Sequence, residues 1–150
     1  MKTANPADVA TPDALTRALY ESVSFTPGGE PDWARMATLF WSEGMLTPLR
    51  AAPEELDVAG FRARFDDQSA VLGLRALGFH ESELAARSDR YGRLVHRFST
   101  YESRHLAGEP PFTRGINSIQ MIHHEGRWWV LSIAWESEAT GPEIPAEYLR

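Results

Sequence analysis

From Arg114 to Glu138 the chain reads as two long β-strands joined by a tight turn at Glu125-Gly126. The second strand is apolar on both faces, so it needs a neighbour on each side. A two-residue turn fixes the register. On one face Trp128 then lies opposite His123, Val130 opposite Met121, Ser132 opposite Ile119, Ala134 opposite Asn117 and Glu136 opposite Gly115. On the other, Trp129 faces Ile122, Leu131 faces Gln120, Ile133 faces Ser118 and Trp135 faces Ile116. The first face turns small and polar away from the turn, which suits a pocket. The sequence therefore predicts that this face meets the helices and opens into a ligand site. The Trp129, Leu131, Ile133, Trp135 face is expected to pack against a second copy, because so large an exposed apolar patch is unusual on a monomer. One residue of slip in either strand would swap the faces.

Upstream, the pattern is helical. Thr11-Pro12-Asp13 is a helix start, with a Thr cap, Pro in the first turn and an early acid. Leu15, Ala18, Leu19, Ser22 and Val23 share one face, and Pro27-Gly28-Gly29 is a breaker. A second helix is predicted from about Asp32, with Trp33, Met36, Ala37 and Phe40 as its buried stripe and Gly44 as its end. Met45 to Leu49 reads as a short strand that Pro48 confines to an edge or an end. Asp57 caps a third helix, with Val58, Phe61, Phe65 and Leu72 on one side. From Phe79 onward strands dominate: Phe79 to Arg87, Leu94 to Arg104, Phe112 to His124 and Trp128 to Glu138. A loop at Ser88 to Gly92 joins the first two. Helices followed by antiparallel strands make an α+β fold.

The chain has 150 residues and 43% hydrophobic content, which suits one globular domain over residues 1–150. Its first ten or so residues read as a flexible arm, and the segment from Gly141 as a Pro-rich tail. A net charge of −6 argues against nucleic acid and anionic membrane partners. The chain has no cysteine and no apolar run long enough to span a bilayer. A cytoplasmic location is the default expectation, as the N-terminus shows no secretory pattern.

Three features together resemble the nuclear transport factor 2-like superfamily, the cystatin-like α+β cone. One is the helix pair ending in Trp33 to Phe40 before a short strand. The others are a third helix leading into the sheet, and a closing hairpin with Gly126-Arg127-Trp128 and Trp135 near its end. The resemblance covers about Asp13 to Glu138. It implies a curved antiparallel sheet wrapped by helices around an internal pocket, and a homodimer formed through the outer sheet face. It implies no single chemistry, since relatives include ketosteroid isomerase-like, scytalone dehydratase-like and limonene epoxide hydrolase-like enzymes, polyketide cyclases and pure binding modules.

Each of those chemistries needs particular residues. An isomerase-type base is expected near Thr47-Pro48, where there is no acid; Glu43 is the nearest and sits at a helix end. Glu102, Arg114 and Glu136 could form a hydrolase-like set, but the register puts Arg114 and Glu136 on opposite faces, and rim salt bridges are the simpler reading. His96, mid-strand among apolar neighbours, is the candidate catalytic acid or base for a lyase, isomerase or cyclase. Tyr20 and Tyr101 could supply phenols. His123-His124 point to opposite faces, and His80-Glu81 and His105 have no metal-ligand spacing, so no metal site is expected. Nothing calls for a cofactor: there is no phosphate-cradling glycine loop, and Gly28-Gly29 reads as a breaker. The expected pocket for a small, mostly apolar molecule is lined by Tyr20, Trp33, Phe61, Phe65, His96, Asn117, Ile119, Ser132 and Glu136. A dimerising interaction module with no small-molecule role is the remaining alternative.

Overall fold

The computed structural model describes residues 3–150. Helix α1 (Pro12–Val23) begins where the sequence predicts: the Thr11 hydroxyl accepts the Ala14 N–H at 3.0 Å. Helix α2 (Trp33–Leu39) is capped by Asp32. It stops before the predicted Gly44, because Phe40 bridges Val130 and the Trp41 N–H bonds the Val130 carbonyl at 2.8 Å. Burial of Phe40, which is fully enclosed, outweighs one more helical turn. Strand β1 (Leu46–Pro48) follows. Helix α3 (Val58–Leu72) is capped by Asp57 and ends at Gly73, whose φ of +67° is the left-handed conformation that glycine adopts without strain. Val58, Phe61 and Phe65 face the core as expected, whereas Leu72 is exposed in the last turn. Helix α4 (Leu74–Leu77) leads to the sheet.

Strands β2 (His80–Tyr91), β3 (Leu94–Arg104), β4 (Thr113–His124) and β5 (Arg127–Ser137) form an antiparallel meander. With β1 the order is β1-β5-β4-β3-β2, and β1 joins β5 in parallel, so the sheet is mixed. The predicted loop at Ser88 to Gly92 is instead strand up to Tyr91. Its residues are polar because both faces of the hairpin end are exposed, and polarity alone does not distinguish that from a loop. Helices α1, α2 and α3 cover one face, where Leu15, Leu39, Phe65, Ile119, Met121 and Val130 meet in the core. The fold class is therefore α+β, helices packed on a largely antiparallel sheet.

The closing hairpin keeps the expected register only near its turn. His123 pairs with Trp128, and Met121 with Val130. A bulge at Leu131 then shifts the partners, so that Ile119 pairs with Ile133, Asn117 with Trp135 and Gly115 with Ser137. Every residue beyond it changes face. Ile133 and Trp135 turn inward, and Ser132, Ala134 and Glu136 turn outward. The proposed Trp129–Trp135 interface face does not exist as one surface. Trp129 is buried by its own chain, edge-on to Trp41 at 5.3 Å and under the Arg127 guanidinium at 3.5 Å. Arg114 and Glu136 now share the outer face, but Arg114 pairs with Glu138 at 2.8 Å and Glu102 with Arg104 at 2.5 Å rather than with one another.

Both terminal segments are docked. Residues Pro6–Val9 form a 3-10 turn with Val9 buried, and Asp8 accepts two hydrogen bonds from Arg35 at 2.9 Å. The expected flexible arm is thus anchored from Pro6 onward; residues 1–2 of it lie outside the described residues. At the other end Ile144 is buried and a 3-10 turn, Ala146–Tyr148, lies on the outer sheet face. The Thr100 hydroxyl donates to the Tyr148 carbonyl at 2.6 Å, and the Tyr148 ring sits between Phe98 and Arg87.

Candidate functional site

Along the helix-covered face, the middle of β3 and its neighbours change from apolar to polar. Register places Ser103 beside Glu81, Tyr101 between Glu83 and Gly115, Ser99 beside Asn117, and Arg97 beside Ile119. Glu81 and Glu83, two apart on β2, share this face by alternation, and a bulge between Glu83 and Ala85 shifts the register only beyond them. Gly115 is required here. A Cβ at that position would overlap the Tyr101 ring and the Glu136 carbonyl, so the absent side chain is what seats Tyr101.

Tyr20 on α1 closes the network from above. Ser99 Oγ donates to Glu83 Oε2 at 2.5 Å, so it accepts from the Tyr20 hydroxyl at 2.6 Å. Asn117 Nδ2 donates to the Tyr20 oxygen at 3.0 Å. Tyr20 is therefore saturated, and burial pushes its phenol well above the ordinary range. Arg97 binds both Glu83 oxygens, at 3.0 and 2.6 Å, and reaches Asp13 on α1 at 2.7 Å. This fork-to-carboxylate pair ties helix to sheet.

Glu81 stands apart from that network. Its carboxylate accepts one hydrogen bond, from Ser103 Oγ at 3.0 Å, and has no ion pair among the described residues. Loss of water around it raises its pKa to about 7; the Ser103 bond opposes the rise. Burial, followed by the Glu81 charge, also raises the Tyr101 phenol. The Glu81 backbone is fixed by Ser24, whose hydroxyl accepts the Glu81 N–H at 3.0 Å. Beside it opens a cleft of about 600 Å³ between α1 and the edge strand β2, with Tyr20, His80, Glu81, Glu83 and Arg97 in its wall. His80 Nδ1 is buried there without a partner among the described residues.

Of the residues singled out in the sequence, Tyr20 lines this cleft and Asn117 orients it. Trp33 meets Phe61 and Phe65 edge-to-face at 5.9 and 5.6 Å, Phe61 and Phe65 lie tilted at 6.2 Å, and Ile119 is fully buried. His96 is on the outer face, largely exposed, 2.9 Å from Asp89; its neighbour Val95 points inward and Phe98 shares the outer face, so the candidate catalytic histidine lies away from the cleft. Ser132 and Glu136 are outward for the reason given by the bulge. Glu83, Ser99 and Ser103 escaped the sequence reading, and Glu81 entered it only within a His80-Glu81 pair that lacks metal-ligand spacing. The signal was there, as acids and hydroxyls two apart on adjacent strands share a face.

No protein-family model and no curated protein sequence matches the chain. Solved structures do. An NTF2-like protein with a cystatin-like fold from Novosphingobium aromaticivorans superposes with a TM-score of 0.58 at 15% identity, covering 78% of this chain and 73% of that one. A cystatin-like protein of unknown function from Nostoc punctiforme gives 0.56 at 17% identity, over 76% and 80% of the two chains. An NTF2-like protein of unknown function from Silicibacter pomeroyi gives 0.54 at 14% identity, over 83% and 91%. At such identities the likeness concerns the fold, and with the layer order described above it gives the conclusion that this chain has the nuclear transport factor 2-like, cystatin-like α+β fold.

Proposed function

We propose that this protein binds a small molecule in the cleft between α1 and β2, with Glu81 as the anchoring group. The observation that carries this is a carboxylate set in the cleft wall with one hydroxyl partner and spare acceptor capacity. Leaving such a group under-satisfied costs stability, and function is the usual reason it is retained. The expected ligand was mostly apolar. A wall with Asp13, Arg17, Glu81, Glu83 and Arg97 supports a polar one instead. Chemical-shift mapping of a fragment library tests this. Hits should perturb Tyr20 and residues 80–83; hits confined to the outer face would overturn it.

A second reading, an enzyme of the lyase, isomerase or cyclase kind, is favoured by the same residue. A carboxyl that titrates near 7 can both take and give a proton at neutral pH. Glu81, rather than the exposed His96, would be the acid/base. Loss of turnover in Glu81→Gln with unchanged substrate affinity supports it; full activity in that variant excludes it. The homodimer reading rests on the outer sheet face, where Leu94, Phe98 and Leu131 are exposed. Light scattering at micromolar concentration distinguishes dimer from monomer.

A further inference from the structure

The hydrogen-bonding inventory of the cleft has a direction. Four hydroxyls in or beside its wall have spent their protons. Thr16 donates to the Pro12 carbonyl at 2.9 Å, Ser24 to the Tyr20 carbonyl at 2.7 Å, Ser103 to Glu81, and Tyr20 to Ser99. What they have left is lone pairs. Glu81 adds the largest unmet demand: a carboxylate can take about four donors and receives one from the protein. The guanidinium of Arg97 cannot turn to it, because Glu83 and Asp13 already hold all three of its nitrogens.

We infer that the cleft takes a small organic cation, an amine whose ammonium group seats against Glu81. This rests on the cleft being the binding site, and it names the chemical class of the occupant. An ammonium brings several N–H donors and a positive charge, which are the two things Glu81 lacks. The lining acids Asp13, Glu21, Glu81 and Glu83 outnumber the lining arginines Arg17 and Arg97. Arg17 is the one of the two without an ion pair among the described residues. It is exposed on α1, where water screens its attraction for anions. Glu81 is partly shielded from water, so a charge placed beside it interacts more strongly. The other groups facing Glu81 are the Tyr20 phenol from α1, the Tyr101 phenol from β3, and His80 and Glu83 on its own strand. Both phenols stay neutral at physiological pH. Amine binding should therefore strengthen as Glu81 ionises.

A charge series of near-identical shape tests this: benzylamine, benzyl alcohol and benzoate, titrated into the full chain and followed by backbone and side-chain chemical shifts. The result expected is that benzylamine perturbs Tyr20 and residues 80–83, at least about tenfold more tightly than either of the others. Its affinity should rise as pH passes through about 7. In Glu81→Gln that rise should disappear with most of the affinity. Should this variant fail to fold, the pH dependence in the parent chain decides alone. If benzyl alcohol or benzoate binds in the cleft as well as benzylamine, the cationic assignment falls while the cleft remains a binding site. If none of the three perturbs the cleft, both fall.

Discussion

At the scale of single residues, this molecule keeps its polar groups in two states. Tyr20, Ser99, Asn117, Glu83 and Arg97 satisfy one another, and Glu81 does not share in it. Tyr20→Phe should cost about 1–3 kcal/mol in chemical denaturation, because it leaves Asn117 Nδ2 buried without its acceptor. Gly115→Ala should cost a similar amount through overpacking against the Tyr101 ring. Glu81 makes stability depend on pH in a defined sense. Its folded-state pKa is raised from 4.5 to about 7, so the unfolded chain gives up this proton first. Its contribution is full below about 4.5 and is lost as pH rises through about 7. Urea melts across that window should show Glu81→Gln gaining on the order of 2 kcal/mol over the parent, a value reduced by the cleft's access to water.

At the scale of elements, the deciding event is the bulge at Leu131. Strand identities, helix caps and the Glu125-Gly126 turn were legible because each rests on local chemistry: a Thr or Asp accepting an N–H, a glycine free of Cβ strain, alternation of apolar residues. The bulge was not legible. Leu131 is as apolar as the residues around it, and only packing shows that Ile133 and Trp135 fill the inner face better than Ser132 and Ala134. That one residue decided which side chains could line a site, and moved Ser132 and Glu136 out of it. His96 misled for a related reason, since β3 lies inside the sheet yet has an exposed outer face. The reassigned faces predict unequal mutational costs. Ile133→Ala should cost about 2–5 kcal/mol, and Leu131→Ala less than about 1 kcal/mol, by thermal or chemical unfolding. Equal costs would restore the unbulged register.

At the scale of the whole molecule, the two sheet faces have different fates. Helices cover one, and the chain's own C-terminal segment covers part of the other through Tyr148 on Phe98, Thr100 and Arg87. Truncation after Thr140 removes that cover and the buried Ile144. The shortened chain should lose about 1–3 kcal/mol of stability and self-associate more strongly, as read by melting and light scattering. The central claim concerns the inner side, where a network of paired groups leaves one carboxylate, Glu81, with a single hydroxyl donor beside a cleft. Carboxyl-carbon NMR of Glu81 as a function of pH addresses it most directly. The account predicts a midpoint near 7 that falls when benzylamine is added; a midpoint at the ordinary value of 4.5, unmoved by ligand, would contradict it.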